Sequence, residues 1–229
     1  MFKPLSHARK LLAALFAAGT ALSAQAAFVT TNEAGMDAIF SQSTFDGRNI
    51  DIRFNATVEV HNTALLVIDS SAEFDVTFRP STTKAIAMYF VDDIQWCGGP
   101  TTSTIGCGWI GANGIAVNSS WAGDASYGAN LMAHELGHNL GLGHSSGDNQ
   151  NLMAPIIMTG MGTLTSAQVS SILSSTFVQT DTSGQRFVEI TPYLVLPDLV
   201  ITVPEPGSLA LVGLALGLAA WRGRRASRA

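Results

Sequence analysis

Residues 134–144 read His-Glu-Leu-Gly-His-Asn-Leu-Gly-Leu-Gly-His. Histidines four positions apart stack on one face of a helix, so the imidazoles of His134 and His138 can meet a single ion. Glu135 is turned about 100° from His134, close enough to reach a metal-held water without being a ligand itself. Gly141 can take the positive φ that ends a helix and so swing His144 round as a third nitrogen. Three neutral nitrogens leave a fourth tetrahedral position for water, the pattern of a catalytic rather than a closed structural zinc. The chain holds 5 His, 6 Glu and 22 Gly in 229 residues; at that composition the five matching positions would coincide by chance with a probability of roughly a few in a million. Gly137 and Gly141 would each cost a helix about 1 kcal/mol relative to Ala, so something other than helix stability accounts for them. His7 and His61 stand alone and are read as ordinary core or surface residues.

The run matches H-E-x-x-H-x-x-G-x-x-H at every specified position, and over about residues 110–175 the chain resembles the metzincin clan of zinc endopeptidases. Asn151-Leu152-Met153-Ala154-Pro155 is similar to that clan's Met-turn, with Met153 nine residues beyond His144. In the clan this residue packs beneath the zinc without binding it; Met158 and Met161 are the downstream alternatives. Ser145 after the third histidine is similar to matrix metalloproteinases, whereas His138-Asn139-Leu140-Gly141 resembles reprolysin-type members, and the subfamily stays open. No Tyr closely follows Met153, so the Tyr ligand of astacin-like members is not expected. No prodomain with an inhibitory Cys fits between Ala27 and the first strand.

The resemblance implies one catalytic Zn2+ on His134, His138 and His144. Glu135 would take the proton of the attacking water and pass it to the leaving nitrogen of a protein or peptide substrate. It also implies a substrate extended along an edge strand. The matching segment is about Gly111 to Asn118, with Gly111, Ala112, Asn113 and Gly114 as contacts. Pro155, Ile156 and Ile157 would form the apolar wall of the first pocket beyond the cut. Two other classes share part of this pattern: a zinc amide hydrolase acting on cell-wall or matrix material, and a catalytically silent matrix-binding protein. The acidic loops at Asp92-Asp93 and Asp148 leave room for structural calcium, although no EF-hand spacing is present.

The elements that must position these residues follow from periodicity. Met36, Ile39 and Phe40 share a helical stripe over Asn32–Gln42, and Asn49–Val60 alternates as a half-buried strand. Phe74–Phe78 alternates again, Lys84–Val91 is a continuous apolar run expected of an interior strand, and Ile110–Asn118 is a further strand. A helix is expected over Asp124–Leu140 with Asp124 as N-cap, and a last one over Ser166–Phe177 capped by Thr165. Strands before helices indicate one α+β domain over residues 27–190. The resemblance sharpens this to a zincin-like fold: a twisted mixed sheet, an active-site helix bearing the two nearer histidines, and a C-terminal helix. Pro192 and Pro197 fall in an expected linker over residues 191–203.

The ends read as addresses. Residues 1–26 have a basic start, an apolar run from Leu11 to Leu22 and the small-x-small site Ala24-Gln25-Ala26, the pattern of a signal peptide removed by signal peptidase. Residues 204–229 place Pro204-Glu205-Pro206 before a short apolar stretch and Arg222-Gly223-Arg224-Arg225. This end resembles the PEP-CTERM sorting signal of Gram-negative, exopolysaccharide-producing bacteria, which exosortases process. It implies export to the surface or beyond, with the membrane engaged only through the C-terminal helix before processing; a permanent anchor is the alternative reading. Cys97 and Cys107, separated by nine residues around Gly98-Gly99-Pro100, are expected to close a disulfide in an oxidising compartment. With 47% hydrophobic and 13% charged residues, disorder is excluded. Between residues 27 and 203 five Lys and Arg face sixteen Asp and Glu, a formal charge of −11 that opposes nucleic-acid binding.

Overall fold

The structure, a computed structural model, describes residues 28–77, 84–199 and Leu214. The expected signal peptide and nearly all of the expected sorting signal lie outside them. In chain order the elements are α1 (Glu33–Phe40), β1 (Ile50–Phe54), β2 (Val58–His61), β3 (Val67–Ile68), α2 (Ser71–Thr77), β4 (Ile86–Val91) and β5 (Asp93–Trp96). They continue with β6 (Pro100–Thr104), β7 (Gly106–Gly108), β8 (Gly114–Asn118), α3 (Ser119–Ala122) and α4 (Gly128–Asn139). The last are α5 (Ser166–Ser174), β9 (Gln179–Thr180) and β10 (Arg186–Leu196).

The main sheet runs β1-β10-β4-β8-β7, with β2 and β9 also paired to β10. It is mixed: β7 and β9 are antiparallel to their neighbours and the remaining pairs are parallel. Alternation along the strands sends side chains to two cores. Ile86, Met88 and Phe90 of β4 pack with Ile50, Ile52, Ile115, Val188 and Ile190 against the helices, among them Leu131, Leu136 and Ile172. Tyr89 and Val91 face the other way, with Leu65, Phe74, Ile94 and Val195. A small second sheet, β3-β5-β6, covers that side. The expected α+β class and mixed sheet are those observed.

Several expected elements differ, each for a local reason. The strand foreseen over Asn49–Val60 is broken into β1 and β2, and both pair with β10. Phe74–Thr77, the described part of the strand foreseen over Phe74–Phe78, belongs to α2, whose start is boxed by Ser70 and Glu73. The Glu73 carboxylate accepts from the Asp69 and Ser70 N–H groups, and Ser70 Oγ accepts from Glu73 N–H. Such a Ser-x-x-Glu box outweighs a short alternation. The helix expected from Asp124 begins at Gly128, because the Asp124 carboxylate closes the preceding turn on the Ser126 and Tyr127 N–H groups. Thr165 does cap α5, in a reciprocal box with Gln168.

The largest difference is β10. It crosses the boundary expected at residue 190 and runs to Leu196, so residues 191–196 of the expected linker form part of a central strand. Pro192, expected to mark an exit, is paired in register with Met88. The Ile190 carbonyl accepts from Asn55 N–H, so Pro192, two residues on, turns its main chain to that same side. The neighbouring chain there has left the ladder between β1 and β2, and the missing N–H of proline costs no bond.

Candidate metal centre

Ten of the twelve residues of α4 are buried, among them His134, Glu135 and His138. The His134 Nδ1–H donates to the Leu152 carbonyl at 2.6 Å and the His138 Nδ1–H to the Leu142 carbonyl at 2.8 Å. A carbonyl only accepts, so each ring carries its proton on Nδ1 and turns an unprotonated Nε2 the other way. Burial pushes the pKa of His134 down to about 4 and that of His138 in the same direction, which keeps both rings neutral and able to ligate. The helix ends in a Schellman arrangement: Gly141 N–H meets the His138 carbonyl, Leu142 N–H meets the Gly137 carbonyl, and Gly141 sits at φ 98°. The reversal returns His144 to the helix, with its Nε2 3.3 Å from that of His134. Ligating atoms of the three histidines lie within 4.8 Å of one another, and the third ring is solvent-exposed. Two nitrogens at about 2.0–2.1 Å from one tetrahedral zinc stand about 3.3–3.4 Å apart; the His134–His144 pair has that spacing and His138 lies within 4.8 Å of both, so the three imidazoles are a donor set of the kind zinc takes.

Glu135 lies on the flank of α4 beneath β7, the edge strand of the sheet. It is 5% exposed, and burial raises its pKa to about 8 against the opposing pull of the Gly108 N–H, which donates to it. The approach is close. A methyl group on Gly106 would stand 2.5 Å from Glu135 Oε1, and one on Gly108 would stand 2.6 Å from the Glu135 carbonyl oxygen. Nothing in the histidine motif points to these two glycines; their signal is the Gly-Cys-Gly alternation at Cys107.

Met153 is fully buried. A Cβ on Gly137 would come within 2.6 Å of its sulfur, so the glycine between the two helical histidines makes room for that side chain. Met161 is buried elsewhere, with its sulfur at the Met158 N–H, and Met158 is exposed. The turn carrying Met153 is held by Asn151, whose Oδ1 accepts from Met153 N–H and Ser145 Oγ, while its side-chain amide pairs reciprocally with Gln168 of α5. Ser145 N–H donates to the Met153 carbonyl. Sequence reasoning gave no role to Asn151 or Gln168; the Thr-x-x-Gln spacing marks Gln168 as a partner of the Thr165 cap, but nothing in the sequence pairs it with Asn151.

The expected edge strand is corrected. Gly114–Asn118 is β8, bonded on one side to β4 and on the other to β7, so the free edge belongs to Gly106–Gly108. Gly111, Ala112 and Asn113 form the turn that leads into β8. Its main chain is already engaged: Gly111 N–H donates to the His138 carbonyl, and Asn139 Nδ2 to the carbonyls of Trp109, Ala112 and Gly114. Pro155 and Ile156 continue from the Met153 turn as exposed residues, with Ile157 half-buried against the core. The foreseen Cys97–Cys107 disulfide is present. Among the described residues the three histidines are the one cluster able to hold a metal; Asp93 is engaged by Ile94 N–H and Gln95, and Asp148 by Gln150 N–H.

A helix-borne histidine pair closed by a third beyond a glycine turn, beside a buried glutamate under the edge of a mixed sheet, defines a zinc metallopeptidase of the metzincin clan. A family model described as Matrixin matches residues 15–174, well over half of the chain, and the chain belongs to that family. The PEP-CTERM protein-sorting motif matches residues 202–225 and indicates export and surface sorting. No curated protein and no solved structure is significantly similar to the chain. Among the described residues no helix is long and apolar enough to cross a membrane.

Proposed function

We propose that this chain is a secreted or surface-directed zinc endopeptidase in which Glu135 is the general base. The observation that carries the reading is three imidazoles with ligating atoms within 4.8 Å of one another, two of them kept neutral by burial, with a buried carboxyl on the same helix. His134, His138 and His144 would hold the zinc, and when bound it supplies a Lewis acid that polarises the scissile carbonyl and acidifies water. The Leu152 and Leu142 carbonyls fix two of the three rings so that Nε2 points inward. Glu135 takes the proton of the attacking water in its buried pocket and returns it to the leaving nitrogen. Met153 serves as the floor beneath the ligands.

The substrate backbone would add to the free edge of β7 rather than to residues 111–118. Exposed Trp109 and Ile110, just beyond that edge, and Pro155, Ile156 and Ile157, beyond the Met153 turn, favour apolar side chains around the cut. A signal peptidase removes residues 1–26, and an exosortase processes the C-terminal signal. Cleavage of unfolded casein is the test, run with a chelator and with Glu135→Gln. Cutting that needs both metal and Glu135 is expected. Absence of bound zinc in the purified protein would overturn the reading, and bound zinc without peptide cleavage would move it to a cell-wall amide hydrolase or a binding protein.

A further inference from the structure

β7 is three residues long and pairs with one strand only, β8. Two of its residues are glycines, and both turn toward Glu135. The one side chain it carries, that of Cys107, points to the opposite face, into the second core beside Ala116 and Tyr89. There it is bonded to Cys97, which follows β5 of the small sheet. The disulfide thus anchors the strand lying on the base from behind to the small sheet, in addition to the main chain through Ile105 that joins it to β6. Two of the three zinc ligands are held from elsewhere. His134 and His138 are held by carbonyls of Leu152 and Leu142, which follow α4 in the chain.

We propose that the Cys97–Cys107 disulfide is a redox-controlled clamp on Glu135: oxidised, it holds β7 against the base, and reduced, it frees the base while leaving the zinc ligands in place. Cys107, Gly106 and Gly108 are then positioning residues for the hydrolytic reading, on which this inference rests. Reduction by a cellular dithiol transfers two electrons and two protons to the cysteines and converts the dithiol to its own disulfide. In a reducing cytosol the chain therefore folds around its metal with a slack base. Thiol–disulfide exchange with an oxidised partner after export tightens the strand and completes the site.

The test uses the intact protein loaded with zinc, compared oxidised, reduced and reoxidised, and as Cys97→Ser/Cys107→Ser. A trialkylphosphine serves as reductant; it leaves as its oxide, taking oxygen from water, and adds no competing thiol. Three quantities are read: zinc content, amide exchange of β7 against α4, and kcat apart from KM. On reduction the Gly106–Gly108 amides are expected to exchange at least tenfold faster while α4 stays protected and one zinc stays bound. The same step should lower kcat at least tenfold, with recovery on reoxidation, and Gly106→Ala should lower kcat with the disulfide intact. Unchanged β7 exchange, unchanged kcat, or loss of α4 protection and zinc along with β7 would each overturn the clamp. Were the oxidised zinc protein to cleave no peptide, the hydrolytic reading would fail, and the β7 exchange would still decide whether the clamp exists.

Discussion

Ending the chain after residue 182 removes β10 and leaves every histidine of the motif, the Met153 turn and α5 in place. The family match stops at residue 174, so a sequence-guided truncation would discard the strand as a tail. Val188, Ile190 and Val195 are each 0% exposed, and full burial of such a side chain contributes about 1.5–3 kcal/mol. β10 also fills the middle of the sheet, pairing with β1, β2 and β4. Without it the facing edges of β1 and β4 would lie unpaired over an opened core. Net stability of a domain is only about 5–15 kcal/mol, so the loss is of the order of the whole. Urea unfolding followed by circular dichroism, with zinc content on the same samples, compares chains ending after residue 182 and after Leu199. The longer chain should unfold cooperatively and hold one zinc; the shorter should have no transition. Ile190→Ala in the longer chain should cost about 2–5 kcal/mol. A cooperative transition at the same midpoint in the shorter chain would refute the assignment of β10 to the domain.

Gly137→Ala, normally favourable in a helix, should instead destabilise by about 1–3 kcal/mol because its methyl meets the Met153 sulfur at 2.6 Å; calorimetric melting checks the sign. Asn139→Leu removes the donor to three carbonyls of the turn at residues 109–114 and should cost about 1–3 kcal/mol. Faster amide exchange confined to that turn is its signature. In the metal-free protein Glu135 titrates near 8 when folded against an ordinary 4.5, so the folded chain keeps a proton that the unfolded chain has lost. Its contribution is full below about pH 4.5 and is lost as pH rises through 8. Glu135→Gln should therefore gain in urea midpoint relative to wild type between pH 5 and 8, and parallel curves would refute this. Zinc at about 100 times its Kd should raise the stability of the intact protein by about 2.7 kcal/mol, an increment that a chelator removes and that His144→Ala greatly reduces.

The histidine triad was legible because its spacing encodes helix geometry directly, and even the two costly glycines declared a reason: Gly137 admits a sulfur and Gly141 turns the chain at φ 98°. The Asn139 side chain, the β7 glycines and the Asn151–Gln168 pair were not legible, since each acts across more than fifteen positions of sequence and carries no period. Hydrophobic alternation likewise misled at Phe74, where a capping box decided the outcome. β10 was missed for a sharper reason. Proline ordinarily argues against a central strand because it lacks a ladder donor, and Pro192 stands in one. The rule holds at the level of the bond rather than the strand: the donor is missing where the partner chain has already bulged away between β1 and β2. That break and that proline are two halves of one device, and each looks like a defect when read alone. It follows that the sheet under the metal site closes only with β10, which ends at Leu196, while the sorting motif begins at residue 202. Folding of the metal site and presentation of the sorting signal are thereby joined by a handful of residues.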